Sequence, residues 1–275
     1  MNINCNGQLI DLTTPKIMGV LNLTPDSFYD GGKYKDTASI LKTVATMLEQ
    51  GATFIDVGGY SSKPGADFVS EFEELNRVIG VVKLLIEEFP NCLISIDTFR
   101  SKVAEAAVKQ GAVMVNDISA GILDDNMIAT ISKLKVPYIM MHMRGTPQTM
   151  TQLTDYDHLI KDIIAYFGER LQLTKLQGIA DIIIDPGFGF AKSIQQNFEL
   201  LSQLELLQIV DKPILVGVSR KSMIYKTLQT SPEHALNGTT ALNMIALEKG
   251  ANILRVHDVK EAMECVTLYN QLHKQ

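Results

Sequence analysis

GATFID, at residues 51–56, is the first of four similar segments in this chain. The other three are GAVMVN at 111–116, GIADIIID at 178–185 and GANILR at 250–255. In each one a glycine follows a helix-like segment, an apolar run rich in β-branched residues comes next, and a polar side chain ends the run. Glycine adopts the left-handed conformation after a helix at the lowest cost. We therefore expect a helix to end and a strand to begin at each copy.

Further apolar segments between these copies complete the predicted strands. They are IMGVL at 17–21, LISID at 93–97, PYIMM at 137–141 and PILVG at 213–217. Helix-like segments separate the strands, and Ile40, Val44 and Leu48 have the spacing of one apolar helix face. Apolar strands alternating with such helices are typical of a parallel sheet covered by helices. Eight units favour closure, so the predicted fold class is α/β, a (β/α)8 TIM barrel of about 250 residues.

Capping boxes are predicted at three helix starts. In such a box the first side chain binds the backbone of the second residue and the second side chain binds back, and the pairs with this spacing are Ser70 with Glu73, Ser193 with Gln196, and Asp258 with Glu261. Such a box satisfies backbone N–H groups that have no partner within the helix. We therefore expect helices to begin after residues 70, 193 and 258.

An N-terminal β-hairpin is predicted over residues 3–11, where Asn6 and Gly7 form a turn signal. This hairpin precedes the first barrel strand, so we expect it to lie beneath the barrel floor. No linker, repeat array or low-complexity stretch divides the rest of the chain. We expect a single domain over residues 1–275.

Composition limits the partners. The chain has 275 residues, a net charge of −6 and no basic block, which argues against nucleic acid and anionic membranes as partners. Cys5, Cys92 and Cys265 are far apart and form no CxxC pair, so we expect buried or neutral thiols in a reducing compartment. The sequence contains neither a recognisable signal peptide nor an apolar run near the ~18 residues of a membrane span. We expect a cytoplasmic protein.

Polar side chains end almost all of the predicted strands. These strand-end residues are Asn22, Asp56, Asp97, Asn116, Asp117, His142, Asp185, Ser219, Lys221, Arg255 and His257. A single polar residue there is as readily a structural cap as a functional group, but a complete set favours function. In a barrel of parallel strands, these ends and the loops after them build the active site. His142 is the exception, for which we expect a structural role.

Two loops at this end are long and rich in Gly, Ser and Thr. They read NLTPDSFYDGG at 22–32 and GGYSSKPGA at 58–66. Backbone N–H groups and hydroxyls in such loops can bind an anion, and loops of this length can close over a site. On composition alone, a pair of plain surface loops remains the alternative.

Strand-end motifs between residues 18 and 259 resemble, in the same order, those of the dihydropteroate synthase family. They are MGVLNLTPDSFYDGG, DVGGYSSKPGA, SIDTFR, VNDISAG, MHMRGTP, DPGFGFAK, VGVSRKS and RVHDV. The resemblance implies a transferase of folate biosynthesis and a sulfonamide target. It would join 6-hydroxymethyl-7,8-dihydropterin diphosphate to p-aminobenzoate, forming 7,8-dihydropteroate and pyrophosphate. It also implies a homodimer.

The resemblance implies a pterin site at the base of the barrel mouth. Asp185 would accept hydrogen bonds from the guanidine-like edge of the pterin, a charge-assisted arrangement. Asn116 and Asp97 would bind other edges, and Lys221 would contact the ring. A plain capping role for Asp97 or Asp185 is less favoured, because an unpaired carboxylate inside a barrel mouth is costly.

Arg255 and His257 are candidates for binding the diphosphate. They lie two residues apart after the last strand, so both can face one anion, and barrel enzymes often bind phosphate near the last two loops. The resemblance adds Ser62 and Lys63 from the second loop, and Asn22 as a ligand of Mg2+. One protein oxygen suits Mg2+, which keeps waters and binds substrate phosphates.

The resemblance places p-aminobenzoate near Phe190, Gly217, Lys221 and Ser222. It implies substitution at the pterin methylene carbon, with the C–O bond breaking well ahead of attack by the amine. The enzyme would then act by stabilising charge and by positioning rather than by supplying a nucleophile. The residues expected to be catalytic are Asp97, Asp185, Lys221, Arg255 and His257.

The second loop departs from the family pattern. Many members carry Glu, Thr and Arg where this chain has Tyr60, Ser62 and Lys63. Lysine keeps the charge of arginine but lacks its planar fork, so we expect changed affinity rather than lost activity. Other functions stay open: a methyltetrahydrofolate:corrinoid methyltransferase, an aldolase that forms a Schiff base on Lys221, and a non-catalytic pterin-binding protein.

Overall fold

The computed structural model describes residues 1–23, 29–30, 33–34, 37–61 and 67–273. The chain begins with two antiparallel strands, β1 (Asn2–Cys5) and β2 (Gln8–Asp11). Asn6 and Gly7 form the turn between them, both with positive φ. The predicted N-terminal hairpin is confirmed.

The centre of the fold is an eight-stranded parallel sheet. Its strands are β3 (Lys16–Asn22), β6 (Phe54–Gly58), β7 (Leu93–Asp97), β8 (Met114–Asp117), β9 (Tyr138–Met141), β10 (Ile182–Asp185), β11 (Leu215–Val216) and β12 (Ile253–Val256). The order in the sheet is β10-β9-β8-β7-β6-β3-β12-β11. A parallel bridge between Ile184 and Ile214 then joins the two ends. The sheet closes, as the predicted (β/α)8 barrel requires.

Helices cover the outside of the barrel. They are α1 (Thr37–Glu49), α2 (Glu71–Glu88), α3 (Ser101–Lys109), α4 (Met127–Leu134), α5 (Leu159–Leu176), α6 (Ile194–Ser202), α7 (Ser222–Tyr225), α8 (Leu236–Glu248) and α9 (Val259–Leu272). A short antiparallel pair, β4 (Tyr29–Asp30) and β5 (Lys33–Tyr34), lies in the loop after β3. None of the helices in the described part of the chain is long and apolar enough to cross a membrane.

The four glycines that open the recurring segments have the predicted conformation. The φ angles are +101° at Gly51, +112° at Gly111, +69° at Gly178 and +92° at Gly250. Each glycine follows the end of a helix and precedes a barrel strand. Since residues with a Cβ rarely adopt this conformation, the glycines allow the chain to turn directly from a helix into the next strand.

One of the three predicted capping boxes forms in full, and at a second Ser70 Oγ accepts the Glu73 N–H at 3.2 Å. Ser193 Oγ accepts a hydrogen bond from the Gln196 N–H, and Gln196 Oε1 accepts one from the Ser193 N–H. The box at Asp258 was predicted wrongly, because its side chain makes no cap bond. Instead the Asp258 carboxylate receives Nε and Nη2 of Arg220 at 2.8 and 2.7 Å. The bidentate pair gives the carboxylate two charge-assisted hydrogen bonds to a cation, whereas the cap would have given it one to a backbone N–H.

The hairpin closes the amino-terminal end of the barrel. Ile3, Cys5, Ile10 and Leu12 are buried in one cluster with barrel residues that include Phe54. A separate and larger apolar cluster fills the layer between strands and helices. With apolar packing at this end, the polar strand ends lie at the opposite, carboxyl end.

The three cysteines are buried thiols, as predicted. Burial raises the pKa of Cys5 and of Cys92 to about 12. Because the thiolate is the reactive form of cysteine, these side chains serve as small apolar groups in the core.

Candidate active site

A cavity of about 440 Å³ opens at the carboxyl end of the barrel. Several predicted site residues line it: Asn22, Asp97, Phe190, Lys221, Ser222, Arg255 and His257. Asn116 and Asp185 are buried at the ends of β8 and β10. Ser62 and Lys63 lie outside the described residues. The structure thus brings strand-end residues from most of the barrel to one cavity.

Arg255 connects two strand-end carboxylates. Its Nε lies 2.6 Å from Asp56 Oδ2, and its Nη2 lies 2.7 Å from Asp97 Oδ2. Asn116 Nδ2 donates to the same oxygen of Asp56 at 2.9 Å. Burial raises the pKa of Asp97 to about 7. The charge of Arg255 acts to lower this pKa, and the charge of Asp56 acts to raise it. Burial acts to lower the pKa of Arg255, but the two carboxylates hold it above its ordinary value, so the guanidinium stays charged.

The charges of Asp185 and Lys221 influence each other. Burial raises the pKa of Asp185, while Lys221 and a 2.7 Å hydrogen bond from the Gly187 N–H favour the ionised carboxylate. Burial lowers the pKa of Lys221 to about 8, and Asp185 opposes that shift. Lys221 Nζ donates to the Phe188 carbonyl and lies 5.0 Å from the centroid of the Phe190 ring. The ammonium is therefore held by a backbone carbonyl near an aromatic face.

Two glycines lie close to Lys221. A Cβ on Gly189 would lie 3.2 Å from Lys221 Cδ, and Gly189 also has a φ of +80°. A Cβ on Gly217 would lie 3.8 Å from Arg255 Cβ and 3.9 Å from Lys221 Nζ, which is ordinary van der Waals contact. Gly217, predicted to bind substrate, thus lies next to both cations, while Gly189 is the position where a side chain would crowd Lys221.

His257 is oriented by Ser219. Ser219 Oγ lies 3.0 Å from His257 Nδ1 and accepts the backbone N–H of His257 at 3.1 Å. Arg220 also lines the cavity, but its guanidinium is paired with Asp258. Arg255 and His257 therefore line the same cavity, as predicted, whereas the charge of Arg220 is neutralised at its edge.

Lys192 holds the loop after β10 from behind the cavity. Its Nζ lies 3.1 Å from His142 Nδ1 and donates to the carbonyls of Gly187 and Phe190 at 3.0 and 3.1 Å. Burial lowers the pKa of Lys192 to about 7 and holds that of His142 well below its ordinary value. The structural role expected for His142 is confirmed by its burial and by this contact.

Tyr60 forms part of the cavity wall. Its hydroxyl accepts a hydrogen bond from Gln148 Nε2 at 2.8 Å, and its ring meets Phe99 edge to face with centroids 5.2 Å apart. Arg100 Cζ lies 5.4 Å from the Tyr60 centroid, and its guanidinium is paired with the buried Glu74. The residue at the start of the second loop is thus packed into the protein and not free in solvent.

Residues 18–257 match the family model for pterin binding enzymes. The dihydropteroate synthase of Escherichia coli (strain K12) is 40% identical over 268 residues, which cover 97% of this chain and 94% of that protein. The chain belongs to the dihydropteroate synthase family. The family predicted from the strand-end motifs is confirmed.

Other dihydropteroate synthases agree in sequence and in fold. That of Synechocystis sp. is 46% identical over 250 residues, covering 90% of this chain and 86% of that one. The Yersinia pestis dihydropteroate synthase, solved with a sulfonamide drug complex, superposes with a TM-score of 0.93 at 39% identity, covering 99% of both chains. The Xanthomonas albilineans enzyme in complex with 7,8-dihydropteroate gives 0.89 at 33% identity, covering 100% of both.

The residues at the mouth of this dihydropteroate synthase fold are compatible with Mg2+. Asn22 is half-buried at the end of β3 and lines the cavity together with Arg255 and His257. Its carboxamide supplies one hard oxygen, and Mg2+ commonly takes one or two protein oxygens while waters and substrate phosphates complete the octahedron. Within the described residues, no group of three or more His, Cys, Asp or Glu forms a metal site. A metal held partly by the diphosphate fits this set of donors.

Sequence reasoning left three contributors to the site without a role. Asp56 ends the first recurring segment, which marked it as a strand-end residue but not as the partner of Arg255. Lys192 ends the DPGFGFAK motif, and Tyr60 was noted only as a departure from the family. The motif position could have indicated Lys192, since a lysine that closes a glycine-rich turn is well placed to bind the carbonyls of that turn.

Proposed function

We infer that this chain catalyses the reaction of its family, the joining of 6-hydroxymethyl-7,8-dihydropterin diphosphate to p-aminobenzoate. The products are 7,8-dihydropteroate and pyrophosphate. The observation that carries this conclusion is the cavity in which Asp97, Lys221, Arg255 and His257 meet, in a chain that matches dihydropteroate synthases over nearly its whole length. The cavity lining combines the Asp97 carboxylate with Lys221, Arg255 and His257, which suits a substrate with a donor-rich ring and an anionic tail.

The pterin ring would lie against the carboxylates at the strand ends. Asp185 is proposed to accept two N–H groups of the ring, while Asn116 and Asp97 bind its other edges. The burial of Asp97 and Asp185 supports this role, because a buried carboxylate favours a partner that donates hydrogen bonds to it. Lys221, beside Asp185, would contact the same ring.

The diphosphate would lie toward Arg255 and His257. Lys63 and Ser62 are proposed to reach it from the second loop. Asn22 is proposed to hold Mg2+, which would stabilise the negative charge of the leaving pyrophosphate. We propose that p-aminobenzoate binds last. Its ring would lie near Phe190, Gly217, Lys221 and Ser222.

The reaction follows from this placement of charge. The C–O bond to the diphosphate breaks, and its electron pair leaves with pyrophosphate, while positive charge develops at the pterin methylene carbon. Asp97 and Asp185 would stabilise that charge, and Arg255, His257 and Lys63 would stabilise the anionic side. The amine nitrogen of p-aminobenzoate then forms the C–N bond and loses one proton to solvent. No protein atom forms a covalent bond, so catalysis is by electrostatics and positioning.

Pyrophosphate release tests this function directly. The purified protein is mixed with dihydropterin diphosphate, Mg2+ and p-aminobenzoate, and dihydropteroate is identified by mass. Release that requires the amine and gives the expected mass is the predicted result. Pterin binding without release would instead favour the non-catalytic pterin-binding protein. Methyl transfer from methyltetrahydrofolate to a corrinoid would favour the methyltransferase. Reductive trapping of a substrate on Lys221 would favour the aldolase.

A homodimer remains a prediction from the resemblance, and a cytoplasmic location remains a prediction from the composition of the sequence. Light scattering on the purified protein measures the oligomeric state, and fractionation of the source cells measures the location. Competition between sulfonamides and p-aminobenzoate is expected as well, because both are arylamines. A sulfonamide that raises the KM for p-aminobenzoate without changing kcat would support a shared site.

A further inference from the structure

Asp56 lies between the two ends of the substrate site. A single carboxylate oxygen, Oδ2, accepts Arg255 Nε at 2.6 Å and Asn116 Nδ2 at 2.9 Å. The proposed function, on which this inference rests, assigns Asn116 to the pterin and Arg255 to the diphosphate. Both substrate-binding groups are therefore anchored on the same atom.

The backbone of Asp56 is held firmly. It lies inside β6, where it pairs with Val20 of β3 on one side and with Ser95 of β7 on the other. Its side chain has no exposed surface. Because strands on both sides fix the main chain and the surroundings enclose the side chain, Oδ2 is a rigid reference point for its two partners.

The two oxygens of the Asp56 carboxylate have different surroundings. Within the described residues, Oδ1 is buried and has no hydrogen-bond partner. An unsatisfied buried polar atom destabilises a protein, so its presence needs an explanation, and a functional role is one. Asparagine in the same place could still accept a hydrogen bond through its oxygen, so the retained feature is the negative charge opposite Arg255.

Two carboxylates hold Arg255, and they both fix its position and offset its charge. Asp56 fixes Nε and Asp97 fixes Nη2, which together set the plane of the guanidinium. The two negative charges also offset its positive charge. An arginine compensated in this way binds a leaving diphosphate less tightly than an uncompensated one, and this favours release of the product.

We propose that Asp56 is a positioning residue that sets Arg255 and Asn116 at a fixed separation and limits the affinity of Arg255 for pyrophosphate. It does not touch substrate itself. It acts through one residue at each end of the dihydropterin diphosphate, and so relates the position of the pterin ring to that of the leaving group.

The Asp56→Asn variant tests the proposal by two binding measurements. Calorimetry with 6-hydroxymethylpterin measures the ring site, and calorimetry with inorganic pyrophosphate and Mg2+ measures the anion site. We expect pterin affinity to fall about 10-fold, because Asn116 and Arg255 each exchange a hydrogen bond to a charged oxygen for a weaker one to a neutral oxygen. Pyrophosphate affinity is expected to rise, because a negative charge next to Arg255 is gone. A parallel fall in both affinities would overturn the proposal in favour of a purely structural role.

Asp117→Asn is the matched control. Asp117 is also a buried strand-end aspartate, but its carboxylate accepts bonds from the backbone of Ser119 and Gly121 and from the Tyr138 hydroxyl. Its loss is expected to lower the melting temperature without separating the two affinities. If Asp117→Asn changed the pterin and pyrophosphate affinities in the same way as Asp56→Asn, the positioning role proposed for Asp56 would be contradicted.

A double-mutant cycle covers the case in which Asp56→Asn does not fold. Asn116→Ala and Arg255→Lys are combined and kcat/KM is measured for each variant. Because both side chains share Asp56 Oδ2, their effects are expected to be non-additive. Additive effects would refute the coupling. Wild-type pyrophosphate release is measured separately, so that loss of the proposed function and loss of this coupling give different results.

Discussion

Lys192 Nζ lies 3.1 Å from Nδ1 of His142 and so connects the loop after β10 with the end of β9. The carbonyls of Gly187 and Phe190 are its other acceptors. An ammonium has three N–H groups, which equals the number of these contacts. The backbone N–H of His142 in turn donates to the carbonyl of Asp185 at 2.9 Å. The segment from Asp185 to Phe190 is therefore joined to His142 twice, through the Asp185 carbonyl and through Lys192.

Lys192→Met is expected to destabilise the protein and to weaken amine binding. The variant leaves the buried Phe190 carbonyl without its donor, at about 1–3 kcal/mol in unfolding free energy, whereas the Gly187 carbonyl keeps the N–H of Phe190. It also releases the backbone of Phe190, so the KM for p-aminobenzoate should rise more than the KM for the pterin. Urea unfolding and steady-state kinetics measure the two effects. The exposed Lys175→Met is the control, and equal behaviour of the two variants would contradict the role of Lys192.

Gly187→Ala is expected to be more damaging than Gly178→Ala. Both glycines have positive φ, +73° and +69°, so both variants incur about 1–2 kcal/mol of backbone strain. A Cβ on Gly187 would also lie 2.1 Å from the carbonyl oxygen of His142, whereas nothing lies within 4 Å of one on Gly178. Thermal unfolding of the pair isolates this clash. Equal losses of stability would show that the contact with His142 is unimportant.

Pterin binding is expected to weaken as pH falls through about 7. Burial raises the pKa of Asp97 to about 7, so acid protonates the group that is proposed to accept a pterin N–H and that pairs with Arg255. The folded pKa exceeds the ordinary 3.8, so the folded state holds more protons between these values, and the contribution of Asp97 to stability falls as pH rises from about 4 to 7. Calorimetry of 6-hydroxymethylpterin from pH 5.5 to 8.5 measures the binding. In Asp97→Asn the dependence should disappear, and a wild-type profile without this step would refute the assignment.

Lys221→Ala is expected to lower the rate of pyrophosphate release about 10²–10³-fold and to leave the protein folded. The side chain lines the cavity and lies 5.0 Å from the centroid of the Phe190 ring, where its charge can act on the substrate. Stopped assays with saturating substrates give kcat, and circular dichroism checks the fold. Lys226→Ala, at an exposed lysine five positions along, serves as the control. Turnover equal to that of the wild type would exclude the proposed role.

Tyr60→Phe is expected to lower stability modestly and to preserve kcat. It removes the hydroxyl that accepts from Gln148 Nε2, worth about 0.5–1.5 kcal/mol. A double-mutant cycle with Gln148→Ala, read by chemical unfolding, measures the energy of this pair. Zero coupling would show that the contact does not anchor the second loop, and loss of kcat would show that Tyr60 acts in catalysis.

The barrel and most of its rim could be predicted from the sequence because both depend on local patterns. Glycines at helix ends, apolar strand runs and polar strand ends are all visible in short stretches, and the positive φ of Gly51 follows directly from such a pattern. The ends of individual strands were predicted less accurately. The strand expected at 213–217 is limited to Leu215–Val216, with Ile214 forming an isolated bridge that closes the barrel.

Pairings between distant residues could not be predicted in the same way. Arg255 and Asp56 are 199 positions apart, and only closure of the sheet brings them together. Asp258 was assigned to its own helix because Glu261 has the right spacing, but Arg220 competes for its carboxylate from 38 positions away. Local spacing indicates what a side chain is able to do, whereas the folded neighbourhood decides which partner it takes.

The hairpin beneath the barrel has a practical consequence for experiments on this protein. Met1 is exposed, and β1 and β2 lie at the end of the molecule opposite the cavity. A biotinylated peptide or a fluorophore joined to the amino terminus would therefore be held away from Arg255 and Lys221. Attachment to a sensor surface through that terminus should leave the mouth facing solution, in an orientation suited to surface-based measurement of the ligands discussed above.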